Sequence, residues 1–119
     1  MSFARTHNLL VAVHGGGHNV AGTAVCDGGI LMDLSRLRGV RVDPTRRTAR
    51  AEAGLTWGEL DYEAQAFGLA TIGVDVSTVG IAGLTLGGGF GWLVRNYGLA
   101  CDNLPVSYTH LTLPTIYSV

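Results

Sequence analysis

The residues of this chain best placed to do chemistry are His14-Gly15-Gly16-Gly17-His18-Asn19, which follow the apolar run Leu9-Leu10-Val11-Ala12-Val13 directly. The apolar run reads as a buried strand. Three successive glycines then lack the Cβ that keeps a ligand away from the backbone. Consecutive N–H groups turned toward one point form an anion nest, the usual cradle of a phosphate or pyrophosphate. A histidine at the lip of such a nest stands beside whatever carries the phosphates. The pattern points to a nucleotide cofactor with a reactive ring rather than to free phosphate.

A second glycine-rich segment runs from Ser77 to Trp92, with six glycines among the twelve residues 80–91. Flexible linkers are polar as well as glycine-rich, whereas this segment is interleaved with apolar residues and reads as a packed glycine loop. Two such loops suit one extended ligand held from both sides. Neither matches the dinucleotide fingerprint G-x-G-x-x-G. The chain contains no lysine, which excludes a Walker-type phosphate loop and lysine Schiff-base chemistry. His14 and His18 have a spacing that pairs metal ligands on a helix, but three glycines forbid a helix there, so no metal site is expected.

Around these loops, Ser2 to Asn8 forms the end of a helix, with Asn8 able to take a left-handed cap. Leu9–Val13 and Ile30–Leu34 read as buried strands. Val40–Val42 and Thr48–Ala53 alternate as half-buried strands do, around a turn at Asp43-Pro44-Thr45-Arg46. Thr56 with Glu59 forms a capping box for a helix that ends at Gly68. Short turns and loop fill the chain from there to Gly98. The layout is α+β, with mixed strands, one clear helix and two ligand-facing loops. Trp57 and Trp92 read as core or wall residues. Asp102-Asn103 fits a turn cap and a cofactor contact equally well.

Composition narrows the function classes. Hydrophobic residues make up 47% of the chain and charged ones 14%, which argues for a folded interior. A formal net charge of -1 gives no long-range attraction to nucleic acid or to an anionic membrane. The arginines between Arg36 and Arg50 read as the solvated face of a hairpin. No apolar run approaches the about 18 residues a membrane helix needs, and the first residues do not begin a signal peptide. A cytoplasmic protein is the expectation.

With both loops written out, the chain resembles the FAD-binding domain of the vanillyl-alcohol oxidase / p-cresol methylhydroxylase superfamily, the PCMH-type domain. Within it the similarity is to the berberine-bridge-enzyme-like oxidases of the 6-hydroxy-D-nicotine oxidase type. It spans about Phe3 to Leu104. It is carried by Val13 to Gly22, by Cys26-Asp27-Gly28-Gly29 with Asp33-Leu34-Ser35, by Thr56-Trp57-Gly58-Glu59-Leu60, and by the second glycine segment followed by Tyr97 to Leu104. The resemblance implies that His18 occupies the position of a histidine bonded covalently to the flavin 8α carbon. It places Gly15, Gly16, Gly17 and Asn19 in the pyrophosphate loop, with His14 at its start. It places Thr78, Gly80, Gly83, Gly87, Gly88 and Gly89 in a second flavin-contacting segment. Relatives with a second link carry a cysteine where this chain has Val76, so a single tether is implied. His14 stands where the family usually has arginine, and a neutral imidazole forfeits that fixed charge.

The resemblance further implies an FAD-dependent oxidase that takes a small-molecule substrate and O₂. Neither its catalytic base nor its substrate pocket is identified in this chain. The expected organisation is a partial FAD-binding domain over 1–104 and a non-native tail over 105–119. All 18 glycines lie at or before Gly98 and every Asp, Glu or Arg at or before Asp102. The run Val106-Ser107-Tyr108-Thr109-His110-Leu111-Thr112-Leu113-Pro114-Thr115 looks like a translated sequencing adapter, so His110 is set aside. Met1 falls where a helix is already under way, which reads as an internal piece of a longer gene. Two rival readings stay open: a non-catalytic nucleotide-binding module, and a truncated product without activity.

Overall fold

In the computed structural model, which describes residues 1–105 and 115–118, helix α1 (Ser2–Thr6) ends just before Asn8. Asn8 takes a φ of 52°, a left-handed turn that asparagine tolerates better than most residues. The turn lets the Leu9 N–H donate to the Ala4 carbonyl at 2.8 Å and aims the chain into β1 (Val11–His14). This strand starts two residues later than the apolar run and takes in His14, which is therefore a strand residue. It pairs in parallel with β2 (Ile30–Asp33), Val11 opposite Ile30 and His14 opposite Asp33. Parallel pairing needs a crossover. Here residues 15–29 supply it without a helix, and the first glycine turn opens that crossover.

Strands β3 (Val40–Asp43) and β4 (Thr48–Ala51) form the expected antiparallel hairpin. Asp43 Oδ1 accepts from the N–H groups of Thr45 and Arg46, each at 3.0 Å, and Arg47 closes the turn at a φ of 53°. On its other edge β4 pairs with β5 (Thr115–Ser118), Thr48 opposite Ser118. The α+β class stands, with the strands divided between a parallel pair and an antiparallel trio. Residues 106–114, which hold most of the adapter-like run and His110, lie outside the described residues.

Helix α2 (Trp57–Gln65) begins at the predicted capping box. Glu59 Oε2 accepts from the Thr56 N–H at 2.9 Å and from its hydroxyl at 2.8 Å. Trp57, Leu60 and Ala64 form its buried face and join Ala49, Ala51, Leu55, Ile72 and Ile81 in the core. Full burial of residues the size of Leu60 contributes about 1.5–3 kcal/mol each. The second glycine segment departs from the expected loop. Ile81–Leu86 is a helix, α3, and Val94–Tyr97 is a fourth, α4, so the expectation of one clear helix fails. Ile81 and Thr85, four residues apart, are buried on one face of α3. That burial outweighs the about 1 kcal/mol that a helical Gly83 costs. Trp92 is 85% exposed, so it is not core; it forms wall instead, lining a shallow cleft with Asp61, Leu69 and Leu93.

Candidate functional site: a cleft where two glycine turns meet

The second glycine turn is held by the start of α2. The Trp57 N–H donates to the Val79 carbonyl at 2.9 Å, and the Gly58 N–H donates to the Ser77 carbonyl at 2.9 Å. The Ile81 N–H donates to the Leu55 carbonyl at 3.0 Å. These bonds fix residues 77–81 against the helix, while β1 delivers residues 15–17 to the same place. There the two backbones touch. A Cβ on Gly16 would collide with the Gly80 nitrogen, and one on Gly80 would collide with the Gly16 nitrogen. Only glycine allows this approach at either position.

A cleft of about 490 Å³ opens along the junction. The first turn lines it with Gly15, Gly16, Gly17, His18 and Asn19, and the second lines it with Val79, Gly80, Gly83 and Leu84. Among the described residues, the backbone N–H groups of Gly15, Gly16, Gly17, His18 and Asn19 form no hydrogen bond within the protein. Donors left free along a cleft suit an anionic ligand. Gly17, at a φ of 73°, supplies the left-handed step that helps turn such a row inward.

His18 stands at the cleft, its Nε2 2.9 Å from the Thr78 hydroxyl oxygen. A bond across sixty positions of sequence thus ties the two turns together at their side chains. His14 does not line the cleft. Its ring lies under the first turn, where a Cβ on Gly17 would come within 2.7 Å of His14 Cε1. Its Nδ1 is buried without a hydrogen-bond partner among the described residues. Asp33, opposite His14 in the parallel pair, has its carboxyl held below the ordinary value of 3.8. The Ser35 N–H at 2.9 Å is the main cause, with His14 and Arg36 adding smaller attractions.

Against known proteins, a family described as FAD binding domain matches residues 1–109. The chain belongs to this family. The FAD-binding chain is 41% identical to (R)-6-hydroxynicotine oxidase of Paenarthrobacter nicotinovorans over 102 residues, 86% of this chain and 22% of that protein. It is 42% identical to an FAD-linked oxidoreductase of Dictyostelium discoideum over 104 residues, 87% of this chain and 23% of that protein. Its fold matches the crystal structure of 6-hydroxy-D-nicotine oxidase from Arthrobacter nicotinovorans at a TM-score of 0.83, 41% identity, 87% of this chain and 23% of that one. A berberine bridge enzyme in complex with (S)-reticuline matches at 0.80 and 36% identity, 86% of this chain and 21% of that one. The chain therefore spans about a quarter or less of the relatives it matches. It carries the FAD-binding domain of FAD-linked oxidoreductases.

Within this FAD-binding domain the sequence-derived site divides in two. Gly15, Gly16, Gly17, His18, Asn19, Gly80 and Gly83 line the cleft, and Thr78 reaches it through His18. Gly87 caps the end of α3, its N–H donating to the Gly83 carbonyl at 3.1 Å, and Gly88 and Gly89 pack against the C-terminal turn. The Gly88 and Gly89 carbonyls accept from the Cys101 and Ala100 N–H groups, each at 2.9 Å. Asp102 and Asn103 serve that turn, with Asp102 Oδ2 accepting from the Leu99 N–H at 2.8 Å. Asn103 Nδ2 donates to the Tyr97 and Leu99 carbonyls at 2.8 and 3.0 Å. The sequence reading missed the apolar lining from Val13, Val20, Ala21, Ala24, Val79 and Leu84. Their positions flanking the glycines were the available signal.

Proposed function

We propose that the cleft between the two glycine turns holds FAD, with His18 as its single covalent tether, in an enzyme that oxidises a small molecule with O₂. The observation that carries this is the meeting of the turns: free N–H donors from Gly15 to Asn19 beside a backbone contact that excludes any Cβ. Those donors and the apolar lining fit a cofactor that is a pyrophosphate at its middle and a flat ring at one end. The identity to 6-hydroxynicotine oxidase supports the same reading. FAD held there would supply an acceptor for a hydride from a substrate C–H beside an alcohol or amine, and a route for the electrons to O₂.

The residues of this chain bind and orient. The amides of the first turn take the pyrophosphate charge, Gly16 and Gly80 keep the turns in contact, and His14 forms the floor under Gly17. His18 holds the ring edge so that the cofactor does not dissociate. Val76 leaves no thiol for a second tether. Residues 1–104 make up this part of the domain, and 105–119 are a non-native tail. The composition break after Asp102 supports that division, although the family match reaches residue 109.

Acid denaturation of the intact gene product tests the tether. Yellow colour should stay with the precipitated polypeptide, and His18→Ala should release it to the supernatant. Flavin released in full from the unmutated protein rejects the tether, and failure to bind any FAD rejects the site.

A further inference from the structure

We propose that Thr78 is a positioning residue for His18, setting which ring nitrogen carries the flavin. The inference rests on the tether proposed above and adds the residue that aims it. His18 and Thr78 are both exposed, His18 lines the cleft, and a 2.9 Å bond joins its Nε2 to the Thr78 hydroxyl oxygen. The two ring nitrogens of a neutral histidine are distinct, and the hydrogen bond made by one decides the state of the other. We assign Nε2–H as the donor to Thr78 Oγ1, which leaves the free lone pair on Nδ1. Nδ1 is then the nucleophile.

On attachment a bond forms between Nδ1 and the 8α carbon, and a C–H bond of the 8α methyl breaks with loss of its proton to solvent. The electron pair passes to the isoalloxazine and from there to dioxygen, which leaves as hydrogen peroxide. The proton displaced from the imidazole departs from Nε2. A hydroxyl suits that exchange because it is donor and acceptor in one group and its O–H rotates. It accepts from Nε2–H before attachment and donates to Nε2 afterward. Thr78 thus holds the ring in one orientation through both states without carrying charge itself.

The anchoring of Thr78 supports the assignment. It lies between Ser77 and Val79, whose carbonyls accept from the Gly58 and Trp57 N–H groups at the start of α2. A hydroxyl on so well-fixed a backbone restrains an otherwise mobile imidazole on a glycine turn. Thr78→Val keeps the shape and removes the hydroxyl, and Thr78→Ser keeps the hydroxyl.

The test follows covalent incorporation in the intact gene product supplied with FAD, read by in-gel flavin fluorescence after denaturation. Thr78→Val should slow incorporation about tenfold, the scale of one lost hydrogen bond, with the rate taken at saturating FAD so that any loss of reversible binding does not enter it. Thr78→Ser should restore the rate. In the unmutated protein, NMR of the isolated histidyl-flavin peptide should locate the bond at Nδ1, a measurement independent of how any variant folds. Attachment at Nε2, or Thr78→Val incorporating at the unmutated rate, overturns the role of Thr78 and leaves the tether standing. Flavin that binds the unmutated protein but never becomes covalent overturns both.

Discussion

Replacing Gly16 by alanine tests the junction of the two turns with the fewest side effects. The φ of Gly16 is not positive, so alanine suffers no backbone strain there. By restricting the unfolded chain, the same change favours folding by about 0.4–1 kcal/mol. Against that stands a methyl placed on the Gly80 nitrogen, 2.7 Å from Gly80 Cα and 3.2 Å from the Thr78 carbonyl oxygen. All three neighbours are backbone atoms tied to α2 through the Val79 and Ser77 carbonyls, so none can swing aside. Overpacking costs about 1–3 kcal/mol, and backbone obstacles place this case toward the top of that range. The net loss in the FAD-loaded protein is then about 1–2 kcal/mol. If the turns stay together the loss appears as reduced stability. If they part, it appears as weaker FAD binding by roughly 5- to 30-fold. Denaturant unfolding with and without FAD, combined with fluorescence titration of FAD, measures both shares. Unchanged stability together with unchanged affinity would refute the contact and the cleft built on it.

Gly83→Ala should act in the opposite sense on stability. Its Cβ meets no atom within 4 Å, and alanine within α3 should raise stability without FAD by about 0.5–1 kcal/mol. Because Gly83 lines the cleft, FAD affinity should fall in the same variant, and unaltered affinity in a titration would remove α3 from the binding wall. Thr56→Ala should cost about 1 kcal/mol in denaturant unfolding by deleting the cap of α2. Burial alone would raise the Glu59 carboxyl, but the Thr56 N–H and hydroxyl and Arg38, 2.7 Å away, together bring it below 4.5. A lowered folded value means that Glu59 contributes its full stability above about pH 4.5 and loses it as pH falls through the folded value. Glu59→Gln should therefore flatten the acid limb of a stability-against-pH curve, and equal slopes in the two proteins would contradict this.

Much of the fold was legible because local dihedral and capping preferences were strong. Asn8 announced its left-handed turn, Asp43-Pro44 its hairpin, and Thr56 with Glu59 the start of α2. The same held for the glycines of the first turn, since a triple glycine after an apolar strand has few structural alternatives. α3 was hidden for the converse reason. Its glycine lowers helix propensity, and only the burial of Ile81 and Thr85, with Ile81 joining the core beside α2 and β4 residues, makes it helical. Likewise Gly87, Gly88 and Gly89 carry the same composition as the cleft glycines, yet Gly87 caps α3 and the other two face the C-terminal turn.

Residue types along the chain thus determined where the backbone could bend, cap and admit a ligand, because those properties depend on a residue and its immediate neighbours. Which glycines face the cleft, that Gly16 lies on Gly80, and that His18 finds Thr78 sixty positions away were decided by tertiary structure alone. The physical reason is distance. Contacts between remote segments are set by how strands and helices bury their apolar faces, and no local preference at residue 16 or 18 carries that information.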